Sequence, residues 1–166
     1  MLIYTDKLSG DEMFSDSYPV REIEDGFFFE VDGKWVELGN VDVDIGANPS
    51  AEDAEETLEE GKRKVVDIVD AFRLVEQPSY DKKAFMGYIK PWLAKVLEKL
   101  PEDQQAEFKA KSQPAIKFLI SKLKDLQFFA GESMDLEGSL AFAYYREGAS
   151  DPTFIFPKYA LNANKC

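Results

Sequence analysis

The sequence predicts an α+β fold, and three observations carry that expectation. Residues 1–38 and 127–158 alternate apolar and polar side chains with a period of two, the strand signature. Residues 78–126 instead place apolar side chains at three- and four-residue steps, the stripe of an amphipathic helix. Strands on both sides of a helical middle make a sheet core with a helical insertion. At 166 residues the chain is long enough to bury a core as a single domain, 1–166.

In chain order, LIY at 2–4 seeds a strand. PVREIEDGFFFEVDGKWVEL (19–38) holds two D-G pairs, Asp25-Gly26 and Asp32-Gly33, which are hairpin signals because type I′ turns need positive φ twice. A β-meander follows, with Phe27 and Phe29 on one strand face and Phe28 and Glu30 on the other. Residues 39–62 change character. Eight acids stand between Gly39 and Glu60 with no base among them, and little apolar material accompanies them. A flexible acidic loop is expected there. In KVVDIVDAFRLVEQ (64–77), the β-branched residues favour a strand with Val66, Ile68 and Asp70 on one face.

The segment 78–126 reads as an αα-hairpin and is expected to hold the only long helices. Phe85, Ile89, Trp92, Val96 and Leu100 form its first stripe, with Ser79 or Asp81 able to cap the start. Phe108, Ala115, Leu119, Leu123 and Leu126 form the second, beyond Pro101. Pro91 and Pro114 are expected to kink or interrupt the two helices. Strands return at QFFAG, SLAFAYYRE and TFIFPKY, separated by turns at Gly131, Gly138 and Asp151-Pro152.

Composition excludes much chemistry. The chain has no histidine and one cysteine, Cys166, so the common general base and every Ser-His or Cys-His nucleophile pair are missing. The usual zinc ligand sets are equally out of reach. One cysteine gives no internal disulfide framework and suits a reducing, cytoplasmic setting. As the last residue it is expected to be exposed and able to link two copies through a disulfide under oxidation. The N-terminus lacks a basic region followed by an apolar stretch, so no secretory signal is expected. No apolar run approaches the ~20 residues of a membrane span. A formal net charge of −12 argues against nucleic-acid binding, which needs a basic footprint. Yet residues 81–124 carry ten lysines against five acids, an asymmetry that points to charged partners.

Four groups of residues are candidate sites, each with a bland alternative. Glu132, Asp135 and Glu137 sit between two strand-like runs and read as a structural loop or recognition surface, with an acid/base pair or a weak metal contact as the sharper alternatives. No nucleophile or glycine-rich phosphate loop accompanies them, as paired-carboxylate catalysis or phosphoryl chemistry would lead one to look for. The acids of 39–62 suit a weak calcium site, since that cation takes several carboxylate oxygens. They lack the EF-hand frame, and a solvated acidic loop is the alternative. SGDEMFSDSY (9–18) interleaves Asp11, Glu12 and Asp16 with Met13, Phe14 and Tyr18, which suits a protein-recognition patch or, equally, a capped turn with its own packing residues. The lysines of 82–124 are the solvent side of two amphipathic helices or a docking surface for an acidic partner.

Taken together, MLIYTDKLSGDEMFSD at the start, IGANPSAED at 45–53, VVDIVDAF at 65–72, QFFAGESMDLEGSLAFAYYRE at 127–147 and the terminal Lys165-Cys166 resemble the translationally controlled tumour protein family, in its order and end to end. Forms such as VDGKWVELGNVDVDIGANPSAED and EGASDPTFIF look closest to its plant and green-algal branch. The resemblance implies a tent-like β-sheet core, similar to a small exchange factor or chaperone of Rab-type GTPases, with an inserted helical hairpin and a flexible acidic loop. It implies a non-enzymatic cytoplasmic growth regulator with no required cofactor. Its implied partner is a Rheb-like small GTPase upstream of TOR signalling, contacted through Glu12 with Asp11 and Asp16 beside it. The alternative it implies is a cytoskeletal protein that binds calcium, through Glu52, Glu55 and Glu56, and microtubules, through Lys82, Lys83, Lys90 and Lys95.

Overall fold

The computed structural model describes residues 1–38 and 63–165. Eleven strands and three α-helices are found there. In chain order they are β1 (Leu2–Asp6), β2 (Glu12–Ser15), β3 (Val20–Ile23), β4 (Phe28–Asp32), β5 (Trp35–Leu38), β6 (Arg63–Val66), α1 (Asp67–Phe72), β7 (Val75–Gln77), α2 (Lys82–Lys99), α3 (Glu102–Ser121), β8 (Gln127–Ala130), β9 (Ala141–Tyr144), β10 (Thr153–Pro157) and β11 (Leu161–Lys165). The strands form a three-stranded sheet ordered β11-β1-β2, a six-stranded sheet ordered β3-β4-β10-β9-β8-β7, and a two-stranded ribbon of β5 and β6. The α+β expectation is borne out.

The six-stranded sheet is the middle layer, and its period-two alternation sorts the core into two halves. Phe28, Phe128, Phe142, Tyr144 and Ile155 point toward the helical hairpin and pack with Phe85, Ile89, Trp92, Val96, Phe108 and Leu119. The alternate residues Phe29, Val31, Phe129, Ala141, Ala143, Phe154 and Phe156 point the other way, onto Met13, Phe14 and Leu161 of the three-stranded sheet. Register agrees with this split, since Phe142 stands opposite both Phe128 and Ile155. Both predicted helical stripes thus bury against one sheet face.

Several local expectations are corrected. Residues 64–77 are not one strand: β6 ends at Val66 and the chain turns into α1 before β7. Asp67 favours that turn, its Oδ1 accepting from the backbone N–H groups of Ile68 (2.7 Å) and Lys34 (2.9 Å). Asp67 and Asp70 also suit the positive end of the helix dipole. Burial of Ile68 and Leu74 then overrides the strand preference of the β-branched residues.

Of the two D-G pairs, the first lies in a hairpin shifted by one residue. The residues with positive φ inside the Ile23–Gly26 bond are Glu24 and Asp25, and Gly26 follows them at φ 83°. Phe27 therefore belongs to the turn, and it packs with Phe28 and Phe108 on the helical side rather than with Phe29. The second pair makes no hairpin, because β5 pairs with β6 (Trp35 opposite Val66) and not with β4. Gly33 is needed there for closeness. A Cβ would lie 2.9 Å from the Phe154 ring and 3.0 Å from Val66.

Pro91 and Pro114 lie inside α2 and α3 without interrupting them. Pro91 and Gly87, four residues earlier, are both exposed, as are Pro114 and Ala110. The carbonyls that lose an N–H partner to the prolines therefore sit on the solvent side. Asp81, not Ser79, caps α2, accepting from the N–H of Ala84 at 2.8 Å. Among the described residues, no helix is long and apolar enough to cross a membrane.

Candidate functional site

The acidic N-terminal motif is shaped by a β-bulge. Tyr4 of β1 stands opposite Phe14 of β2, while Thr5 stands opposite Glu12, so Met13 is an extra residue on β2. The bulge breaks the alternation, and Met13 and Phe14 are both buried in the layer between the sheets. They belong to the core, which decides these two side chains for the packing alternative and against the recognition patch. Tyr18 is half-buried against Phe72 of α1. Glu12 is exposed on the edge strand of the three-stranded sheet. It makes no side-chain hydrogen bond or ion pair among the described residues. Its neighbours are committed: Asp16 Oδ1 accepts from the N–H of Leu2 at 3.1 Å, and Asp11 Oδ2 accepts from the hydroxyl (2.7 Å) and N–H (3.3 Å) of Ser133.

The bond from Asp11 brings in the loop 131–140, where the other carboxylate cluster lies. Glu132, Asp135 and Glu137 do not converge. Glu132 pairs with Arg73 at 3.1 Å and Glu137 with Lys95 at 3.4 Å, while Asp135 accepts from the N–H of Glu137 at 3.0 Å. All three are exposed, an arrangement of a surface loop rather than of an acid/base pair. Between them Met134 (49% exposed) and Leu136 (45%) stand out from the surface, beside the strand that carries Glu12.

A buried carboxylate anchors this loop. Asp6, at the end of β1, accepts from the N–H of Leu8 and of Ser9 (both 3.2 Å), from the Ser9 hydroxyl (2.8 Å) and from the N–H of Ser139 (2.8 Å). From the hairpin side, the Tyr88 hydroxyl donates to the carbonyl of Gly138 (3.1 Å) and accepts from the N–H of Leu140 (2.9 Å). Burial pushes the Tyr88 phenol well above its ordinary pKa, so it stays neutral and able to donate. Trp92 Nε1 donates to the Ser139 hydroxyl at 2.8 Å. These anchors are not legible in the sequence, because Asp6, Ser133 and Ser139 resemble ordinary turn residues until Asp6 and Ser139, 133 residues apart, are brought together.

Two glycines allow the close approach. A Cβ on Gly131 would lie 2.4 Å from Asp11 Oδ2 and 2.7 Å from its Cβ, and one on Gly138 would lie 2.7 Å from Asp6 Oδ2. Because the Asp11 Cβ is itself in the way, a rotamer change cannot relieve the first clash. We expect Gly131→Ala to destabilise the protein by about 1–3 kcal/mol and to break the Asp11–Ser133 bond. Urea denaturation measures the first effect, and faster amide exchange at Ser133 the second. Unchanged exchange there would mean that the loop is not held this way.

A second charged cluster lies on the middle sheet. Glu30 is 6% exposed on the hairpin-facing side of β4, opposite Ile155. It accepts from Tyr144 (2.5 Å), from Arg146 (2.6 Å) and from Nε and Nη2 of Arg21 (3.0 and 2.9 Å), while Arg21 also grips Asp32. Burial alone would raise the Glu30 pKa, but these donors outweigh it and hold the pKa below its ordinary value. Every acceptor here is matched by a donor, so the cluster is structural.

Among the basic candidates, Lys82, Lys83 and Lys90 are exposed on α2, whereas Lys95 is half-buried and held by Glu137. Glu52, Glu55, Glu56 and Cys166 lie outside the described residues. Among the described residues, no three His, Cys, Asp or Glu side chains group closely enough to hold a metal.

The model of the translationally controlled tumour protein family matches residues 1–162. The chain belongs to that family. Among solved structures it is similar to the translationally controlled tumour-associated protein p23fyp of Schizosaccharomyces pombe, with 39% identity over 100% of both chains and a TM-score of 0.81. It is also similar to the translationally controlled tumour protein of Caenorhabditis elegans, with 35% identity over 100% of this chain and 99% of that one and a TM-score of 0.71. Membership of this growth-regulating family accounts for the motifs at both ends of the chain.

Proposed function

We propose that this member of the family is a non-enzymatic, cytoplasmic growth regulator that engages a Rheb-like small GTPase of TOR signalling through Glu12. The observation that supports the reading is the exposed carboxylate of Glu12 on an edge strand, without a side-chain partner among the described residues and next in sequence to Asp11, which holds the apolar-tipped loop 131–140. An exposed acid one residue from the Asp11–Ser133 bond, with Met134 and Leu136 exposed on the bonded loop, suits a partner that offers a cation beside an apolar pocket. Asp11 and Asp16, engaged within the protein, act by holding the surface in shape.

The test compares wild type with Glu12→Val in a pull-down and a nucleotide-release assay with a Rheb-like GTPase. Losing one partner of a buried interfacial charge pair costs about 2–5 kcal/mol, so binding should fall at least about 30-fold. Equal binding and equal nucleotide release by the two proteins would sink the proposal. The second reading, a microtubule-binding protein, draws on the exposed Lys82, Lys83 and Lys90. It gains the lead if the protein sediments with microtubules while Glu12→Val leaves GTPase binding intact.

Any calcium binding belongs, in this proposal, to Glu52, Glu55 and Glu56 and is weak, with Kd of roughly 10⁻⁴–10⁻³ M as for loose carboxylate sites. Calorimetric titration giving submicromolar affinity, or heat unchanged when the three glutamates are replaced together, would contradict it.

A further inference from the structure

A cleft of about 420 Å³, with Glu12 outside its lining, opens between the three-stranded sheet and the start of α3, within the size range of small-molecule sites. Tyr4, Phe29 and Leu161 give it an apolar wall. The charges around it are unequal in their partners. Glu107 accepts from the Tyr159 hydroxyl and pairs with Lys111, and Lys158 is held by Glu22 at 3.0 Å. Lys7, which also lines the cleft, makes no ion pair among the described residues. Its backbone is fixed, the N–H donating to the carbonyl of Ala160 at 2.7 Å. Burial lowers the Lys7 pKa and no carboxylate offsets that. A half-buried ammonium beside an apolar wall, with no carboxylate partner among the described residues, favours an anion locally against the long-range opposition of an overall charge of −12.

We propose that this cleft binds a small amphipathic carboxylate, the acid group on the Lys7 ammonium and the apolar tail against Tyr4, Phe29 and Leu161. A single ammonium matches a monoanion better than a phosphate, which calls for several donors or a guanidinium fork. Nothing in this site overlaps the Glu12 surface, so the two proposals stand or fall separately.

The test is a ¹H–¹⁵N NMR titration with octanoate below its micelle concentration, with octylammonium and inorganic phosphate as parallel probes. Octanoate should give saturable shifts at the amides of Lys7, Leu161 and Ala163. Lys7→Gln should weaken that binding at least about fivefold and Lys7→Arg should restore it, the spectra reporting that both variants are folded. The other two probes should leave these amides unshifted. Shifts that are absent, that never saturate, that survive Lys7→Gln unchanged, or that octylammonium or phosphate reproduces would each overturn the proposal.

Discussion

Replacing Glu30 with alanine should cost about 3–5 kcal/mol at pH 7, the usual penalty for removing one side of a buried ion pair. The carboxylate is the common acceptor for Arg21, Arg146 and Tyr144, so one substitution strands donors on β3 and at the end of β9. Arg21 and Arg146 are partly open to water, which places the expected loss toward the lower end. Glu30→Gln keeps the shape and removes the charge, and it separates electrostatics from packing. The pKa of Glu30 is held low in the folded state, and so is that of Asp32, chiefly by its hydrogen bonds from Arg21. A carboxylate with a depressed folded pKa adds stability above its unfolded pKa, about 4.3 for Glu and 3.9 for Asp, and loses it as the pH falls through the folded value. The stability gap between wild type and Glu30→Gln should therefore be widest at neutral pH and shrink below about pH 4. Denaturant melts at several pH values measure it. A gap of constant size from pH 7 to pH 3 would show that the charge does not matter.

Asp6→Ala is the second large effect, expected at about 3 kcal/mol. Its four donors, the N–H groups of Leu8, Ser9 and Ser139 and the Ser9 hydroxyl, lose a charged acceptor at a site where Asp6 itself is 1% exposed. Hydrogen bonds to a charged group contribute about 1.5–3 kcal/mol each, but some of these donors reach water once the side chain is gone. Asp6→Asn should recover only part of the loss, because its amide must turn an N–H toward one of the donors. Chemical denaturation gives the total, and the exchange rate of the Ser139 amide reports whether the loop 131–140 comes loose with it. A loss below about 1 kcal/mol with Ser139 still protected would remove Asp6 from the role of anchor.

The legible parts of the fold are those whose signal is local. Stripes such as Phe85, Ile89, Trp92 and Val96 are written in the spacing of one segment, and they bury as that spacing requires. The alternation of Phe142 and Tyr144 against Ala141 and Ala143 is equally local, although both faces turn out to be covered. What escaped depends on partners distant in sequence. β11, LNANK, has little strand character of its own and is a strand because β1 pairs with it. In 64–77 the spacing of Val65, Ile68, Val69 and Phe72 is compatible with a helix, while the β-branched composition favours a strand, and the helix wins over 67–72. At the site, the exposed acid and the family motifs could be read directly. The bulge at Met13 could not, because a bulge exists only relative to the strand opposite. Buried acceptors such as Asp6 and Glu30 look like surface residues until their donors are assembled.

The pairing of β1 with β11 sets an order of events for a chain made from its N-terminus. Leu2 finds its cross-strand neighbour at Lys165, and Asp6 at Leu161, almost the full length of the chain away. While the intervening residues are being synthesised, β1 has β2 on one side and an open edge on the other, an arrangement prone to mispairing with other chains. The sheet that displays Glu12 closes only when residues 161–165 emerge. A nascent chain stalled before that point would carry the Glu12 segment without its finished support, so partner binding of the kind proposed for Glu12 would signal that translation had run through β11.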